Sequence, residues 1–478
     1  MRHFHQFTAH AGVSCLRGAL LYAGLSVLLL PAGCRQPSRP AAVTADSTRI
    51  HLVTLDPGHF HAALVQKEMY PQIDATVHVY APEGPDVKGH LGLITRYNTR
   101  ADHPTAWKEV VYTGPDYLEK MLHTEKPGSV VVIAGNNRKK TEYIRTSVNA
   151  GMHVLADKPM AVTVADFDVL KDAFQAADKN HVLLYDIMTS RYEITNVLQK
   201  AFSQLPAVFG TLQKGTEKDP GMTIVRTHYF LKTVSGAPLI RPVWYFDVAQ
   251  EGNGIVDVTT HLVDLVQWEC CPDSLLDYKK DITMLSARQW ATPITPSAFK
   301  QITQSDTFPA FLQQYIRDTV LQVLANGEMN YTIKGVHARI TMIWDVQPPQ
   351  GSGDTHYACI RGSRATLVIR QGKEQHYQPT LYIEPTAQEG KALTQAVLDT
   401  ALQQITAQYP GVTLQKAAKG WEVVIPEKYN VGHEQHFAAV MKQYLDYLRA
   451  GKVPEQQVAY MLAKYYTTTQ ALEKSTIK

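Results

Sequence analysis

The sequence predicts an α/β protein that continues as an α+β one: a doubly wound parallel sheet over residues 49–185, then a mostly antiparallel open sheet with closing helices over 186–478. Two observations predict this. Short apolar strands alternate with helical stretches up to about residue 185, which implies parallel pairing with helices on both faces. Beyond that point the strand-like runs lengthen and alternate apolar with polar residues, as in a sheet with one wetted or partner-facing side.

Taken in order, "IHLVTLD" is a strand, "HAALVQKEMY" has helical spacing, "ATVHVYAP" is a second strand, and "YLEKMLHTEKPGSVVVIAG" gives a helix, a turn and a buried strand. "KKTEYIRTSVNAGMHVLADKP" and "TVADFDVLKDAFQAADKNHVLLYDIM" each give a helix followed by a strand. After them come a helix at "EITNVLQKAFSQL" and strands at "RTHYFLKT", "HARITMIWDV", "HYACIRGSRATLVIRQG" and "PTLYIEP". The chain closes on two helices split by Gly451 and Pro454, and it contains no internal repeat.

Composition narrows the function. The 478 residues, 45% hydrophobic and 19% charged, suffice for a sizeable core and set a soft prior of two domains. A net charge of +3 without a basic block argues against nucleic acid and against a polybasic membrane patch, leaving a small molecule as the expected partner.

Arg2 and Arg17 precede an apolar run from Gly18 to Leu30 that is too short to be a spanning helix, and the small residues Ala32 and Gly33 precede Cys34, so residues 1–34 read as a signal peptide. "LPAGC" resembles a bacterial lipoprotein cleavage box in which Cys34 is lipidated; Pro31 stands where leucine is commoner, and plain secretion is the alternative. Residues 35–48 read as a flexible tether. The expected location is therefore outside the cytoplasm, anchored through lipid alone and facing the periplasm. Of the remaining cysteines, Cys270, Cys271 and Cys359 allow at most one disulfide, and no zinc spacing is present.

The segment from Gly135, Asn136 and Asn137 through "AGMHVL" to Asp157, Lys158 and Pro159 resembles the central part of the Gfo/Idh/MocA oxidoreductase family, and "GNGIVDVTTHLVDLVQW" matches that family's second signature through Asp257, His261 and Asp264. The likeness spans nearly all of the chain beyond the tether. It implies a Rossmann-like first domain, NAD or NADP as cofactor, a carbohydrate substrate, and a homodimer or higher homo-oligomer through the C-terminal sheet; outside the cytoplasm, where free dinucleotide is scarce, a dehydrogenase has to keep that cofactor tightly bound. The family opens with GxGxxG, whereas here the turn reads "LDPGHFHAAL" with Gly58 as its only glycine. Pro57 removes an N–H donor, and His59 and Phe60 add bulk where a pyrophosphate approaches bare backbone. The helix start after Gly58 still offers N–H groups to an anion. Asn136, Asn137, Asp157, Lys158 and Pro159 complete the expected cofactor contacts, with Glu83 and Asp86 as weak candidates for a ribose acid.

Spacing of four and then three places Asp257, His261 and Asp264 on one helix face. An imidazole flanked by carboxylates can be held in the tautomer that accepts a hydroxyl proton, which alcohol oxidation requires. His261 is the expected acid/base, Asp257 a substrate-binding or His-orienting group, and Lys158 an electrostatic partner of the reacting oxygen; Asp264 reads as structural. Tyr185, Arg191 and Tyr192 stand at the domain crossover, where ligands tend to sit, and join His228 and Trp244 as substrate-binding candidates. His433 and His436 form a weaker cluster. Three functions follow: an NAD(P)-dependent oxidoreductase on a sugar hydroxyl, an NAD-dependent glycosidase working by transient oxidation, and a non-catalytic sugar- or nucleotide-binding protein.

Overall fold

The computed structural model describes residues 49–234, 237–386 and 393–476; Cys34 and the tether lie outside them. Six strands build the first sheet: β1 (Ile50–Leu55), β2 (Ile73–Ala81), β3 (Lys108–Thr113), β4 (Val130–Ile133), β5 (His153–Asp157) and β6 (Leu184–Ile187). All pair in parallel, in the order β3-β2-β1-β4-β5-β6. The order reverses between β1 and β4, and in such sheets the crevice for ligands opens there, outside the carboxyl ends of the strands. β4, reading Val-Val-Val-Ile, is buried on both faces, as a central parallel strand covered by helices must be.

The crossovers are α1 (His61–Leu64), α2 (Pro85–Thr99), α3 (Tyr117–Thr124), α4 (Lys140–Asn149) and α5 (Val164–Lys179). Thr163 and Asp166 cap α5 reciprocally. The helix expected over "HAALVQKEMY" is a single turn, because the Gln66 carbonyl is taken by the Trp107 indole N–H at 2.6 Å. α2 and β3 carry no clear period in the sequence and are elements that only the structure shows.

α6 (Ile194–Ser203) leads into the second sheet. Its strands are β7 (Met222–Tyr229), two short strands β8 (Thr233–Val234) and β9 (Ala237–Pro238) that pair apart, β10 (Ile282–Ile294), β11 (Ile316–Arg317), β12 (Val320–Ile333), β13 (Val336–Asp345), β14 (Thr355–Arg361), β15 (Ala365–Gln371), β16 (Thr380–Pro385), β17 (Thr413–Ala417) and β18 (Gly420–Val424). The order β10-β12-β13-β7-β14-β15-β16-β18-β17 is antiparallel except where β13 meets β7. α7 (Thr259–Cys270), α8 (Tyr278–Asp281), α9 (Pro296–Thr303) and α10 (Gln395–Gln408) accompany it. Cys270, Cys271 and Cys359 are free thiols, so no disulfide forms among the described residues.

The chain ends with α11 (His433–Ala450), stopped by Gly451 at φ 70°, and α12 (Glu455–Thr476). Both return to the first domain. Phe437, Val440, Met441, Tyr444, Leu445, Met461 and Tyr465 join Val131, Leu155 and Tyr185 in one core. At the seam the buried Lys464 ammonium reaches Asp186 Oδ2 on β6 at 2.7 Å and Asp264 Oδ1 on α7 at 2.8 Å.

Candidate active site

The turn after β1 is held from three sides. Asp56 adopts φ 45°, a left-handed conformation that Asp tolerates better than most residues, and its carboxylate accepts the Tyr143 hydroxyl at 2.8 Å. The Gly58 and His59 N–H groups both donate to the Ala134 carbonyl, at 3.2 and 3.1 Å. A Cβ on Gly135 would strike the Asp56 carbonyl oxygen, so this close approach requires glycine there. From the second domain, Trp244 lies against Gly58 and donates its indole N–H to Asp86 Oδ2 at 2.7 Å. Burial raises both the Asp56 and the Asp86 carboxyl above the usual value.

The end of β5 supplies Asp157, Lys158 and the cis-linked Pro159. Asp157 Oδ2 takes His59 Nδ1 at 2.9 Å and His61 Nδ1 at 3.0 Å, while Oδ1 accepts the Lys158 N–H at 2.9 Å. Burial works to raise Asp157, but His61 and His59 outweigh it and hold the carboxyl well below its usual range. Lys140 is buried and donates to the Asp157 and Lys158 carbonyls at 3.1 and 3.4 Å; burial lowers its ammonium to about 8.

Lys158 Nζ crosses the crevice to pair with Asp257 Oδ1. Burial opposes the charge, yet Asp257, then Asp157 and Glu251, keep the ammonium above the usual lysine value. Asp257 belongs to a turn just before α7, not to the helix itself. The expectation that flanking carboxylates orient His261 is corrected here: Asp257 is committed to Lys158, and Asp264 to Arg191 and Lys464. His261 is buried and its Nδ1 has no partner; burial and then Lys158 hold the imidazole well below its usual pKa, so it is neutral. Glu251, also buried, is pushed well above the usual carboxyl value by burial and by Asp257. A cavity of about 20 Å³, room for about one water, adjoins Asp257, Glu251, Tyr245 and Trp344. A cavity of about 540 Å³ opens beside Tyr229, Leu231, Lys232, Leu239, Gln301 and Asp354.

The remaining expected residues divide. Asn136 and Asn137 tie the β4 turn to the second domain, through Gln250 at 2.8 Å and the Glu251 carbonyl at 2.7 Å. Trp244 sits in the crevice, and His228 places Nδ1 on Asp354 Oδ2 at 2.7 Å, at the wall of the larger cavity. Phe60 packs its ring against His59 and His61, and Glu83 is exposed without a partner among the described residues, Asp86 being the acid engaged at that edge. Tyr185 is buried against Tyr444 and Tyr447. Arg191 forks onto Asp264 at 2.5 and 2.7 Å, and Tyr192 packs on the first core. These last three serve the domain seam. His61 and Glu251 are not singled out by the sequence; the GHFH pattern is the available signal for His61.

Residues 61–185 match the family described as "Oxidoreductase family, NAD-binding Rossmann fold", and residues 198–476 match "Putative oxidoreductase C terminal domain". The chain belongs to this oxidoreductase family. A crystal structure of a "putative oxidoreductase" from Parabacteroides merdae is 52% identical, covering 90% of this chain and 98% of that one, with a TM-score of 0.88. Levoglucosan dehydrogenase in complex with NADH and levoglucosan shares the fold at 13% identity, covering 89% of this chain and 97% of that one, TM-score 0.54. So does a 3-ketoreductase variant from Actinomadura kijaniata in complex with TDP-benzene and NADP, at 14% identity, covering 89% and 98%, TM-score 0.52. No curated protein matches the chain.

Family membership sharpens the question of the cofactor. GxGxxG spacing maps onto Asp56, Gly58 and His61, and only the middle position keeps its glycine. The N–H groups of Gly58 and His59 are spent on Ala134, Trp244 covers Gly58, and the carboxyl groups of Asp56 and Asp86 face the turn an anion would approach. These residues do not fit a dinucleotide pyrophosphate held in the family's manner. Lys158 and His261 stand beside this turn, with Asp157 between His59 and Lys158.

Proposed function

We propose that the chain is an enzyme of the oxidoreductase class acting on a carbohydrate hydroxyl, with Lys158, Asp257 and His261 at its centre. The observation that carries the reading is the meeting of a first-domain ammonium with a second-domain carboxylate and imidazole in one buried place. A neutral His261 with an unclaimed Nδ1 can take the hydroxyl proton. Lys158, kept charged by Asp257, would stabilise the oxygen as negative charge grows on it. The cavity of about 540 Å³ is within the size range of small-molecule sites, and its wall carries Lys232 and Asp354, paired with each other.

Dehydrogenation to a keto-sugar is the first reading; transient oxidation followed by elimination of an aglycone is the second. The expected tightly held NAD or NADP is supported by the family description and opposed by the closed turn. Denaturing the purified chain and assaying released nucleotide decides it: an equimolar amount upholds a retained cofactor, and none removes it. Incubation with glycosides, following keto-sugar and free aglycone separately, then divides the two reactions. Neither product, with any sugar class tried, would sink the enzyme reading and leave a binding protein.

A further inference from the structure

The polar groups that replace the glycine fingerprint are themselves organised. His59 and His61 leave the turn on either side of Phe60, and Asp157 ends β5; their three donor atoms lie within 4.8 Å of one another, with both imidazole Nδ1 atoms about one coordination edge, 2.9 and 3.0 Å, from the same carboxylate oxygen. Asp157 has two buried lysines as neighbours, yet its carboxylate pairs with neither. Lys140 turns to backbone carbonyls and Lys158 to Asp257, so the Asp157 charge is left to face the imidazoles.

The surroundings fix these groups as outer contacts fix metal ligands. His61 Nε2 lies 3.1 Å from His433 Nε2, and Asp157 Oδ1 is occupied by the Lys158 N–H. The His59 side chain is 19% exposed, which leaves a way in, while Asp157 is buried. On coordination through Nδ1, the single ring proton of each neutral imidazole moves to Nε2, and for His61 that position faces an acceptor nitrogen.

We infer that His59, His61 and Asp157 bind one divalent transition-metal ion of the zinc, cobalt or iron(II) type, standing where a nucleotide-binding turn would hold a pyrophosphate. Two imidazoles and a carboxylate suit such ions, and leave coordination positions open for water or a substrate oxygen. The inference is independent of the reaction proposed above. A second trio, His51, His78 and Glu125, provides an internal control. There the imidazoles sit on different carboxylate oxygens, and Tyr80 shares one of them at 2.6 Å.

The test uses the full chain, stripped with a chelator and titrated with cobalt(II), with bound metal measured after gel filtration and by its visible ligand-field absorption. The expected result is about one ion per chain, reduced at least about tenfold in His59→Ala and in His61→Ala, and unchanged in His51→Ala. Circular dichroism confirms that each variant is folded; His59, being partly exposed, is the safer substitution. A wild-type chain that retains no cobalt overturns the inference, as does a folded His59→Ala that retains as much as wild type. The readout is metal content, so failure of the hydroxyl chemistry would leave it intact.

Discussion

Two trios of two histidines and one acid stand at opposite ends of β1, with the same donors and different fates. At the amino end, His51 and His78 are 34% and 25% exposed and clamp Glu125 where α3 ends. Burial pushes Glu125 up, but hydrogen bonds from His51, Tyr80 and His78 prevail and bring it to about 2. At the carboxyl end, His59, His61 and Asp157 face the second domain across the switch point, beside Lys158 and Asp257. The difference teaches that a donor set does not make a site. Position on the carboxyl edge of a parallel sheet, under a second domain, separates a surface strap from a candidate centre.

The comparison can be broken by substitution. The largest effect is expected at the carboxyl end: Lys158→Ala should lower turnover about 10²- to 10³-fold. It should also cost about 3–5 kcal/mol of stability by denaturant titration, because Asp257 loses its buried partner. Wild-type turnover in that variant would remove the site assignment. Arg191→Ala should destabilise by a similar few kcal/mol, since it strips Asp264 of its forked partner, while turnover per folded molecule stays unchanged; a selective loss of sugar affinity would instead return Arg191 to the substrate site.

Smaller effects sharpen the contrast. Asp157→Asn should lower turnover about 10- to 100-fold, whereas Glu125→Gln should leave turnover alone and cost about 1–3 kcal/mol in thermal unfolding. Equal losses of turnover would erase the distinction between the two trios. The smallest is a pH effect. A hydrogen bond to Glu125 raises His51, so its contribution is complete below the unfolded value near 6.5 and is lost as pH rises through the folded one. Glu125 is lowered, so its part is present above about 4.5 and is lost as pH falls toward about 2. The stability gap between wild type and His51→Ala should therefore be widest at about pH 5–6 and, at this partly exposed pair, stay below about 1 kcal/mol.

The sheet alternation, the Lys158 and His261 motifs and the closing helix pair were legible because each is a local pattern: a period, a fixed spacing, or a Gly–Pro break. The long pair β10 and β12 was not, because β10 sits with most of its side chains half-buried and shows no clean alternation. Site partners were misread where they depend on contacts about a hundred residues apart. Asp257 is near His261 in sequence, but in space its charge belongs to Lys158; Asp264, three residues past His261, belongs to a seam built by the last helix. The aromatic and cationic residues of the crossover, Tyr185 and Arg191, resemble ligand contacts in the sequence because the helices that claim them, α11 for Tyr185 and α12 for Arg191, come more than 250 residues later.

That late arrival has a bearing on how the molecule is made. During synthesis the parallel sheet is finished at β6, but the tyrosines and methionines that cover one part of it leave the ribosome only with α11 and α12, and Lys464, which neutralises Asp186 and Asp264 together, comes with them. The first domain must therefore wait with an acidic, partly bare flank until α11 and α12 have been made. A nascent chain stopped before α11 should be far more open to protease than its finished β-sheet would suggest.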